Sequence, residues 1–228
     1  MNCCQCEGIE REFNEEAVAK ELKQYRKEGP AKPTRMLIDA LKAQGVEGMT
    51  LLDIGGGIGA IQHELLSAGA SRAIHVDAST AYFEAAKEEA ERRGLSNLVT
   101  HYHGNFVDLA QSIEPADVVT LDKVICCYHD MEALVGQSSA KARKLYGLVY
   151  PSDTLWTRVL NSISNLLQWM RRSPFRSFVH STNLVDAMVR GNGLERRFYG
   201  KRFMWGTRWQ VMVYSRSNHV SPINPKTT

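Results

Sequence analysis

The sequence lacks several features that would decide its class at once. No apolar run approaches the roughly 20 residues that a helix needs to cross a bilayer, and residues 1–10 have neither the basic nor the apolar segment of a secretory signal. Internal repeats and low-complexity tracts are absent as well. With 228 residues, of which 43% are hydrophobic, the chain can bury one substantial core. We therefore expect a cytoplasmic globular protein with one main domain and a small appendage.

A regular cysteine framework is also lacking. The five cysteines are an odd number and include adjacent pairs; they are Cys3, Cys4, Cys6, Cys126 and Cys127. This usage is typical of reduced thiols, and no second Cys/His pair accompanies the first three cysteines to complete a zinc site. We expect no metal site, a flexible Cys-containing tail over residues 1–13 and a disordered tail over residues 217–228.

Charges of the two signs are segregated along the chain. Residues 1–140 contain 13 Lys and Arg against 22 Asp and Glu, whereas residues 141–216 contain 14 against 3. Such an asymmetry predicts that the second half faces an anionic partner. A carboxylated substrate, a phosphate, a membrane surface and RNA all fit this description.

Short apolar runs alternate with segments of helical periodicity. The runs predict strands at 50–54, 73–76, 98–103, 117–125 and 145–150, and the periodic segments predict helices at 14–27, 33–44, 61–68, 80–93, 131–144, 154–172 and 183–190. Residues 175–180 are expected to be extended, and residues 194–203 and 208–215 are expected to form an antiparallel pair. This alternation indicates an α/β fold with helices on both faces of a largely parallel sheet.

The first predicted strand runs directly into a glycine turn. Residues 51–59 read LLDIGGGIG, and Asp77 ends the next predicted strand. Glycines permit a sharp turn and the close approach of a ligand, and an acid at the position of Asp77 can accept the ribose hydroxyls of an adenosine ligand. A dinucleotide is one interpretation, because residues 55–60 also satisfy the G-x-G-x-x-A spacing. Asp53 favours instead a ligand with an ammonium and a sulfonium, since its carboxylate would repel a pyrophosphate.

The order of an acid, a hydrophobe and G-x-G-x-G resembles the first motif of class I S-adenosylmethionine-dependent methyltransferases. Residues 104–106 resemble the adenine-edge motif of that family, and residues 117–122 resemble its fourth-strand motif. The resemblance implies a Rossmann-like, doubly wound, seven-stranded α/β sheet that is mostly parallel with an antiparallel last strand, plus N-terminal helices. It implies S-adenosyl-L-methionine as the cofactor and S-adenosyl-L-homocysteine as the product. The cofactor-binding residues that it implies are Asp53, Gly55, Gly57, Gly59, Asp77, Ala78, Asn105, Phe106 and Asp122.

The segment after the fourth predicted strand shapes the methyl-transfer site in that family. Here it contains neither the Asn/Asp-Pro-Pro-Tyr motif of amino-group methylation nor the Pro-Cys pair of cytosine methylation. His129 is the candidate general base, with Tyr128 or Asp130 beside it to orient the ring. The alternative is that His129 is a polar loop residue and Asp130 is the N-cap of the next helix. Cys126 and Cys127 are expected to be wall residues.

The order of elements in the second half is similar to that of magnesium-protoporphyrin O-methyltransferases, which esterify a propionate. This similarity implies O-methylation of a small molecule, either on a carboxylate, which needs no base, or on a hydroxyl, which does. Arginine forks suit carboxylates, and the candidates for a basic wall are Arg158, Arg171, Arg172, Arg176, Arg190, Arg196 and Arg197. Two alternatives stay open: an RNA methyltransferase that uses the basic second half, and an NAD-dependent oxidoreductase.

These patterns divide the chain into an N-terminal helical lid over residues 14–45 and a methyltransferase domain over residues 46–216. Tyr25 and Lys32 in the lid are expected either to contact the cofactor or to be solvated. The inserted helix at 154–172 has apolar residues on one side and is expected to pack onto the domain as a substrate lid. Its alternative role is transient contact with a membrane surface, because it has a basic end and tryptophans for the interface. No obligate protein partner is implied.

Overall fold

The computed structural model describes residues 4–216, with side chains from Glu7 onward. Its helices are α1 (Cys4–Glu12), α2 (Glu15–Glu28), α3 (Lys32–Lys42), α4 (Ala60–Ser67), α5 (Thr80–Arg92), α6 (Phe106–Leu109), α7 (Met131–Ala140), α8 (Leu155–Met170) and α9 (Thr182–Gly191). Its strands are β1 (Thr50–Ile54), β2 (Arg72–Asp77), β3 (Val99–His103), β4 (Ala116–Asp122), β5 (Ala142–Pro151), β6 (Leu194–Met204) and β7 (Thr207–Arg216). The tail predicted for residues 217–228 and the thiols of the first three cysteines lie outside what is described.

The strands form one sheet in the order β3-β2-β1-β4-β5-β7-β6. Strands β1 to β5 are parallel, and β7 runs antiparallel between β5 and β6. The predicted Rossmann-like sheet with an antiparallel last strand is therefore confirmed. The strand order reverses between β1 and β4, so a crevice opens where these two neighbours end.

Each face of the sheet has its own core, because successive strand residues point to opposite faces. Leu51 and Val118 belong to the cluster that α3 and α4 cover, whereas Leu52 and Val119 belong to the cluster that α7 and α9 cover. Strands buried on both faces need apolar residues throughout, which explains the continuous apolar runs in the sequence.

Two predicted boundaries differ at the ends of elements. Strand β4 ends at Asp122 rather than at residue 125, because Lys123 adopts a positive φ of 65° that breaks the extended backbone. Helix α7 ends at Ala140, and β5 begins two residues later. Residues 175–180 are not part of a strand.

The N-terminal region differs more substantially from the expectation. Cys4–Glu12, expected within a flexible tail, is helical, and a Cβ on Gly8 would lie 2.6 Å from the Phe175 amide nitrogen. Helix α3, expected in a lid, is a core helix whose Leu37 and Leu41 are fully buried beside β5 and β7. The apolar face of α3 is therefore covered by the sheet and not by a ligand.

Helix α2 packs on α5 and on the glycine turn. Its Val18 and Tyr25 share a small apolar cluster with Ile58 and Tyr82. Tyr25 is buried and stacks on His63 with 6.2 Å between ring centroids, so the expectation that it is solvated is wrong. Lys32, at the start of α3, is exposed.

Helix α8 shows the largest departure from the prediction. Its polar side contacts the protein, through Asn161 and Asn165 to Ser177 and through Gln168 to Glu12. Its apolar side chains face solvent, with exposures of 43 to 79% at Leu155, Trp156, Val159, Ile163, Leu166, Leu167, Trp169 and Met170. The expectation that this side packs onto the domain is wrong, because helical periodicity reveals an apolar face but not what covers it. Neither α8 nor any other helix within residues 4–216 has the length and apolarity to cross a membrane.

Candidate functional site

A cleft lies at the carboxyl edge of the sheet, beside the ends of β1, β2 and β4. Its lining includes six residues that the sequence assigns to the site: Gly55, Asp77, Ala78, Asn105, Phe106 and Tyr128. It also includes residues that the sequence does not assign: Ile9, Ile54, Val76, Gly104, Val124 and Leu134. The cleft is therefore formed largely by the predicted cofactor motifs and is closed by apolar side chains from α1, α7 and the loop after β4.

The glycine turn adopts a backbone conformation that favours glycine. Gly55, Gly57 and Gly59 have φ values of 60°, 56° and 80°, in the left-handed region that other residues rarely adopt. A Cβ on Gly55 would also lie 2.5 Å from Cγ2 of Val124. Bare backbone therefore faces the cleft at this point. Gly59 is the N-cap residue of α4 and lies outside the lining.

Asp53 lies beneath the glycine turn. Its side chain is buried, its Oδ1 accepts a 2.6 Å hydrogen bond from Thr120 Oγ1, and its Oδ2 has no hydrogen-bond partner among the described residues. A Cβ on Gly56 would lie 3.0 Å from that Oδ2. Burial, together with the nearby Asp122 and Asp77 carboxylates, raises the pKa of Asp53 to about 7. A cation bound above the turn would offset both the burial and the repulsion.

Asp77 ends β2 and fixes the turn to the second strand. Its Oδ2 accepts from the Gly57 amide at 2.9 Å, and its Oδ1 accepts from the Ser79 amide at 2.9 Å. Burial raises the pKa of Asp77 to about 6, although these amide hydrogen bonds oppose the shift. Each carboxylate oxygen can accept two hydrogen bonds. The Asp77 carboxylate can therefore accept further hydrogen bonds besides those from the two backbone amides.

Asn105 connects the predicted cofactor motif to the predicted acceptor segment. Its Oδ1 accepts from the Val107 amide at 3.3 Å and caps α6, while its Nδ2 donates to Tyr128 Oη at 3.0 Å. The structure thus brings together Asn105 and Tyr128, which are 23 residues apart in the sequence. Phe106 beside them is almost fully buried.

Asp122, at the end of β4, lies outside the lining of the cleft. Its Oδ2 accepts a 2.6 Å hydrogen bond from Thr34 of α3 and is 3.3 Å from Lys123 Nζ. Burial alone would lower the pKa of Lys123, but the carboxylates of Asp122 and Glu21 outweigh it, and the net shift is upward. This cluster ties α3 to the loop that forms one wall of the cleft.

The two candidate catalytic residues are placed differently. Tyr128 lines the cleft, whereas His129 does not, and their ring centroids are 5.1 Å apart. Asp130 Oδ1 accepts from the Ala133 amide at 2.9 Å and caps α7, so the capping interpretation of Asp130 is confirmed. A second histidine contacts this loop from the segment before α9: His180 Nε2 is 3.0 Å from the carbonyl oxygen of Ile125, to which it can donate. No local signal identifies His180, because it meets the loop across 55 residues of sequence.

Cys126 and Cys127 lie on the loop after β4 and are not among the residues that line the cleft. Cys126 Sγ donates to the carbonyl oxygen of Lys123 at 3.2 Å. The pKa of the Cys127 thiol is raised by its contact with Cys126 and then by burial. A thiol with a raised pKa is a poor nucleophile, so the Cys127 thiol is not suited to attack a substrate.

Helix α1 covers the cleft through contacts near the end of β2. Ile9 lines the cleft, Glu10 accepts a 2.6 Å hydrogen bond from Thr80 Oγ1, and the carbonyl oxygen of Phe13 accepts one of 2.6 Å from Ser79 Oγ. These contacts join residues about 70 positions apart in the sequence. Gly8, which lets α1 approach Phe175 closely, is the only local signal for this arrangement.

The arginines expected to form a basic wall do not converge on the cleft. Arg158 pairs with Asp153 at 2.7 Å, and Arg190 and Arg196 both pair with Asp186, at 2.7 and 3.3 Å. None of the seven candidates lines the cleft, including Arg171, Arg172, Arg176 and Arg197. The expectation of a basic wall around this site is therefore wrong. Among the described residues, no three His, Cys, Asp or Glu side chains are grouped to hold a metal ion.

Comparison with known proteins agrees with this geometry. Residues 51–143 match the family model of a methyltransferase domain, and no curated protein matches the chain. The chain is similar to the solved structure of magnesium protoporphyrin IX methyltransferase from Synechocystis PCC 6803 with bound SAH, at 22% identity over 81% of each chain and a TM-score of 0.66.

Two further solved structures share the fold. One is an O-methyltransferase family protein from Burkholderia thailandensis, 19% identical over 81% of this chain and 56% of that chain, with a TM-score of 0.62. The other is geranyl diphosphate C-methyltransferase from Streptomyces coelicolor A3(2) in complex with Mg²⁺, geranyl diphosphate and S-adenosyl-L-homocysteine, 13% identical over 80% and 77%, with a TM-score of 0.63.

Proposed function

Since this chain is a class I S-adenosylmethionine-dependent methyltransferase, we propose that it methylates an oxygen atom, a carboxylate or a hydroxyl, of a small molecule. The methyltransferase match decides between the two cofactors in favour of S-adenosylmethionine over NAD. The residues that line the cleft support the proposed acceptor.

The residues at the carboxyl edge fit this cofactor. The bare backbone at Gly55 and Gly57 leaves room for its methionine part, and the unpartnered oxygen of Asp53 suits its ammonium. Asp77 accepts the ribose hydroxyls, and Asn105 holds the adenine edge. Phe106 and Ala78 contribute to the lining of the same cleft, while Gly59 and Asp122 support the site from outside the lining.

The apolar lining of the cleft is the observation that carries the small-molecule acceptor. Ile9 from α1 lines the same cleft as Val124 and Leu134, so part of its apolar lining comes from a helix outside the sheet. A nucleic acid needs an open basic surface. Among the described residues, no arginine or lysine lines this cleft, which disfavours RNA as the molecule that receives the methyl group. A cytoplasmic location stays a prediction.

Bound S-adenosylmethionine supplies an activated methyl group, so the remaining task of the protein is to position the acceptor oxygen and exclude water. The apolar lining from Ile9, Val124 and Leu134 excludes water. Tyr128, on the loop after β4, lines the cleft and is the contact that we propose for the acceptor. A hydroxyl acceptor requires removal of a proton, for which we propose His129, whereas a carboxylate does not.

The test uses S-adenosylmethionine labelled in its methyl group, with panels of small carboxylic acids, small phenols and alcohols, and short RNA. Label transferred to a carboxylic acid and released by mild base as methanol identifies a methyl ester. Label transferred to a hydroxyl compound and stable to base identifies an ether. Label found only in RNA, or bound to carbon or nitrogen, would contradict the proposal.

His129→Ala separates the two oxygen acceptors. If the acceptor is a hydroxyl, we expect kcat to fall by about 10²- to 10⁴-fold, since this is the usual contribution of a general base. If the acceptor is a carboxylate, kcat should change little. Asp130→Asn serves as the neighbouring control, because its side-chain oxygen still caps α7.

A further inference from the structure

The apolar side of α8 is continuous with the tip of the β6–β7 pair. Trp156 Nε1 donates to the carbonyl oxygen of Gly206 at 3.2 Å, which holds the first turn of α8 against the connecting turn. Phe203 and Trp205 beside that turn are 68 and 71% exposed. We call the apolar side of α8 together with these two residues the α8 face. A contiguous apolar surface of this kind on a soluble protein usually marks an interaction site.

The orientation of α8 is specified by hydrogen bonds. Ser177 Oγ donates to Asn161 Oδ1 at 2.6 Å, the Ser177 amide donates to Asn165 Oδ1 at 2.9 Å, and Gln168 Nε2 donates to Glu12 at 2.8 Å. These polar residues all lie on the side of the helix that contacts the protein. The apolar residues must then point outward, because residues three and four apart share one face. The exposure is therefore built into the fold by specific contacts.

Positive charge surrounds the α8 face. Residues 154–185 contain no Asp or Glu, and Asp153, just before them, is paired with Arg158. Basic side chains follow the end of α8 and flank the tip of the β6–β7 pair: Arg171, Arg172, Lys201, Arg202 and Arg208. An apolar surface with a basic border and exposed tryptophans is complementary to an anionic lipid bilayer.

We propose that the α8 face docks the protein on the surface of an anionic lipid bilayer, with α8 lying in the plane of the interface. The apolar side chains enter the acyl boundary, and Trp156, Trp169 and Trp205 lie at the level of the headgroups. The flanking arginines and lysines pair with lipid phosphates. A second copy of this chain is a poorer occupant, because two borders of like charge would meet at such an interface.

The docking surface is connected to the candidate site through one short segment. Ser177 is held by α8, and the next residue, Phe178, donates its amide to the carbonyl oxygen of Cys126 at 2.8 Å. Cys126 belongs to the loop that follows β4, which also contributes Val124 and Tyr128 to the cleft. Two hydrogen bonds, between Asn165 and Ser177 and between Phe178 and Cys126, therefore connect α8 to the loop that lines the cleft.

The test measures co-sedimentation of the full chain with vesicles of phosphatidylcholine alone and of phosphatidylcholine mixed with phosphatidylglycerol. We expect binding to the mixed vesicles that weakens as salt is added, with a blue shift of tryptophan emission. Arg171→Gln combined with Arg172→Gln should weaken binding by roughly thirtyfold, since each basic residue near such a surface contributes about fivefold. Ile163→Ser combined with Leu167→Ser should abolish the blue shift.

Matched controls lie away from the α8 face. Leu98 is a partly exposed leucine and Arg72 an exposed arginine on the other half of the sheet, so Leu98→Ser and Arg72→Gln should leave vesicle binding unchanged. Circular dichroism and calorimetric binding of S-adenosylmethionine verify that each variant is folded. Equal binding to both vesicle types, no binding to either, or a dimer whose formation depends on Ile163 and Leu167 would overturn the proposal.

Discussion

Helices α3 and α8 have similar amphipathic patterns but opposite surroundings. In α3 the apolar side is covered by the sheet so closely that a Cβ on Gly147 of β5 would lie 2.8 Å from Leu37 Cδ1. In α8 the polar side is covered, and leucines such as Leu167 remain about half exposed. Periodicity therefore identifies the two faces of a helix, while the partner of each face is decided by the rest of the fold.

The largest expected effect compares a leucine from each helix. Leu37→Ala removes a fully buried side chain and should lower the free energy of unfolding by about 2 to 5 kcal/mol. Leu167→Ala should change it by about 0.5 kcal/mol or less, since about half of the side chain is already exposed to solvent. Urea unfolding followed by circular dichroism gives both values. Equal losses would show that the apolar side of α8 is packed in solution, and the comparison of the two helices would fail.

A second prediction compares the buried acid Asp77 in the cleft with Asp153, a partly buried acid that does not line the cleft. Asp77→Asn keeps an oxygen for the Gly57 amide but removes the charge and one acceptor, so affinity for S-adenosylmethionine should fall by about a hundredfold. Asp153→Asn, which alters the ion pair with Arg158 near α8, should leave that affinity unchanged. Calorimetry measures both. A normal affinity in Asp77→Asn would remove Asp77 from the cofactor site.

A third prediction compares two buried threonines. Thr34→Val on α3 removes the 2.6 Å hydrogen bond to Asp122 and should cost about 1 to 2 kcal/mol of stability, with a measurable loss of cofactor affinity. Thr157→Val on α8 removes a contact to Thr154 only, 2.8 Å long. It should affect stability but not cofactor affinity. If both variants bind the cofactor equally well, the link from α3 to the site through Asp122 is not functional.

The smallest expected effect is a dependence of cofactor affinity on pH. Vesicle binding through the α8 face should not show this dependence. The pKa of Asp53 is raised to about 7, so the carboxyl binds a proton in the free protein below that pH and loses the charge that suits an ammonium. Affinity for S-adenosylmethionine should therefore be full above about pH 7 and fall by up to about tenfold for each unit below it. Vesicle binding should stay nearly constant between pH 6 and 8, because arginine remains charged.

The raised pKa of Asp53 also affects the stability of the protein without cofactor. Stability should fall as pH rises, whereas cofactor affinity should increase. Because the folded pKa of Asp53 lies above its ordinary value of 3.8, the folded state binds the proton more tightly than the unfolded state. Its contribution to stability is present at low pH and declines as pH rises from 3.8 through about 7. Asp53→Asn should flatten both the stability profile and the affinity profile, and an unchanged affinity profile would assign the titration to another group.

Most of the sheet and half of the site follow from local sequence. The strand at Thr50–Ile54 is predicted to the residue, because a buried parallel strand needs an apolar run and the glycines end it. Asp77 and Asn105 are also placed as predicted, since the carboxyl ends of parallel strands meet at one edge. Tyr128 reaches the cleft from the next loop, whereas its neighbour His129 does not.

The features that local sequence does not reveal depend on contacts between residues that are far apart in the chain. Helix α1 is polar in sequence and is held by Gly8 against Phe175 and by Glu12 against Gln168, across more than 150 residues. The arginines of the second half give this part of the sequence a positive net charge, but the sequence does not say on which surface they lie. In the structure several of them pair with nearby acids. A charge count therefore predicts a partner class, while only the fold decides which surface that partner meets.

The position of β7 between β5 and β6 has a consequence for biosynthesis. Strand β5 is almost wholly buried, yet its outer edge pairs only with β7, whose residues are the last of the sheet to leave the ribosome. Until residues 207–216 emerge, β5 exposes a long apolar edge that can pair with other chains. Shortening the chain into β7 should therefore yield aggregates during translation, whereas β6, which pairs only with β7, closes the sheet after that edge is protected.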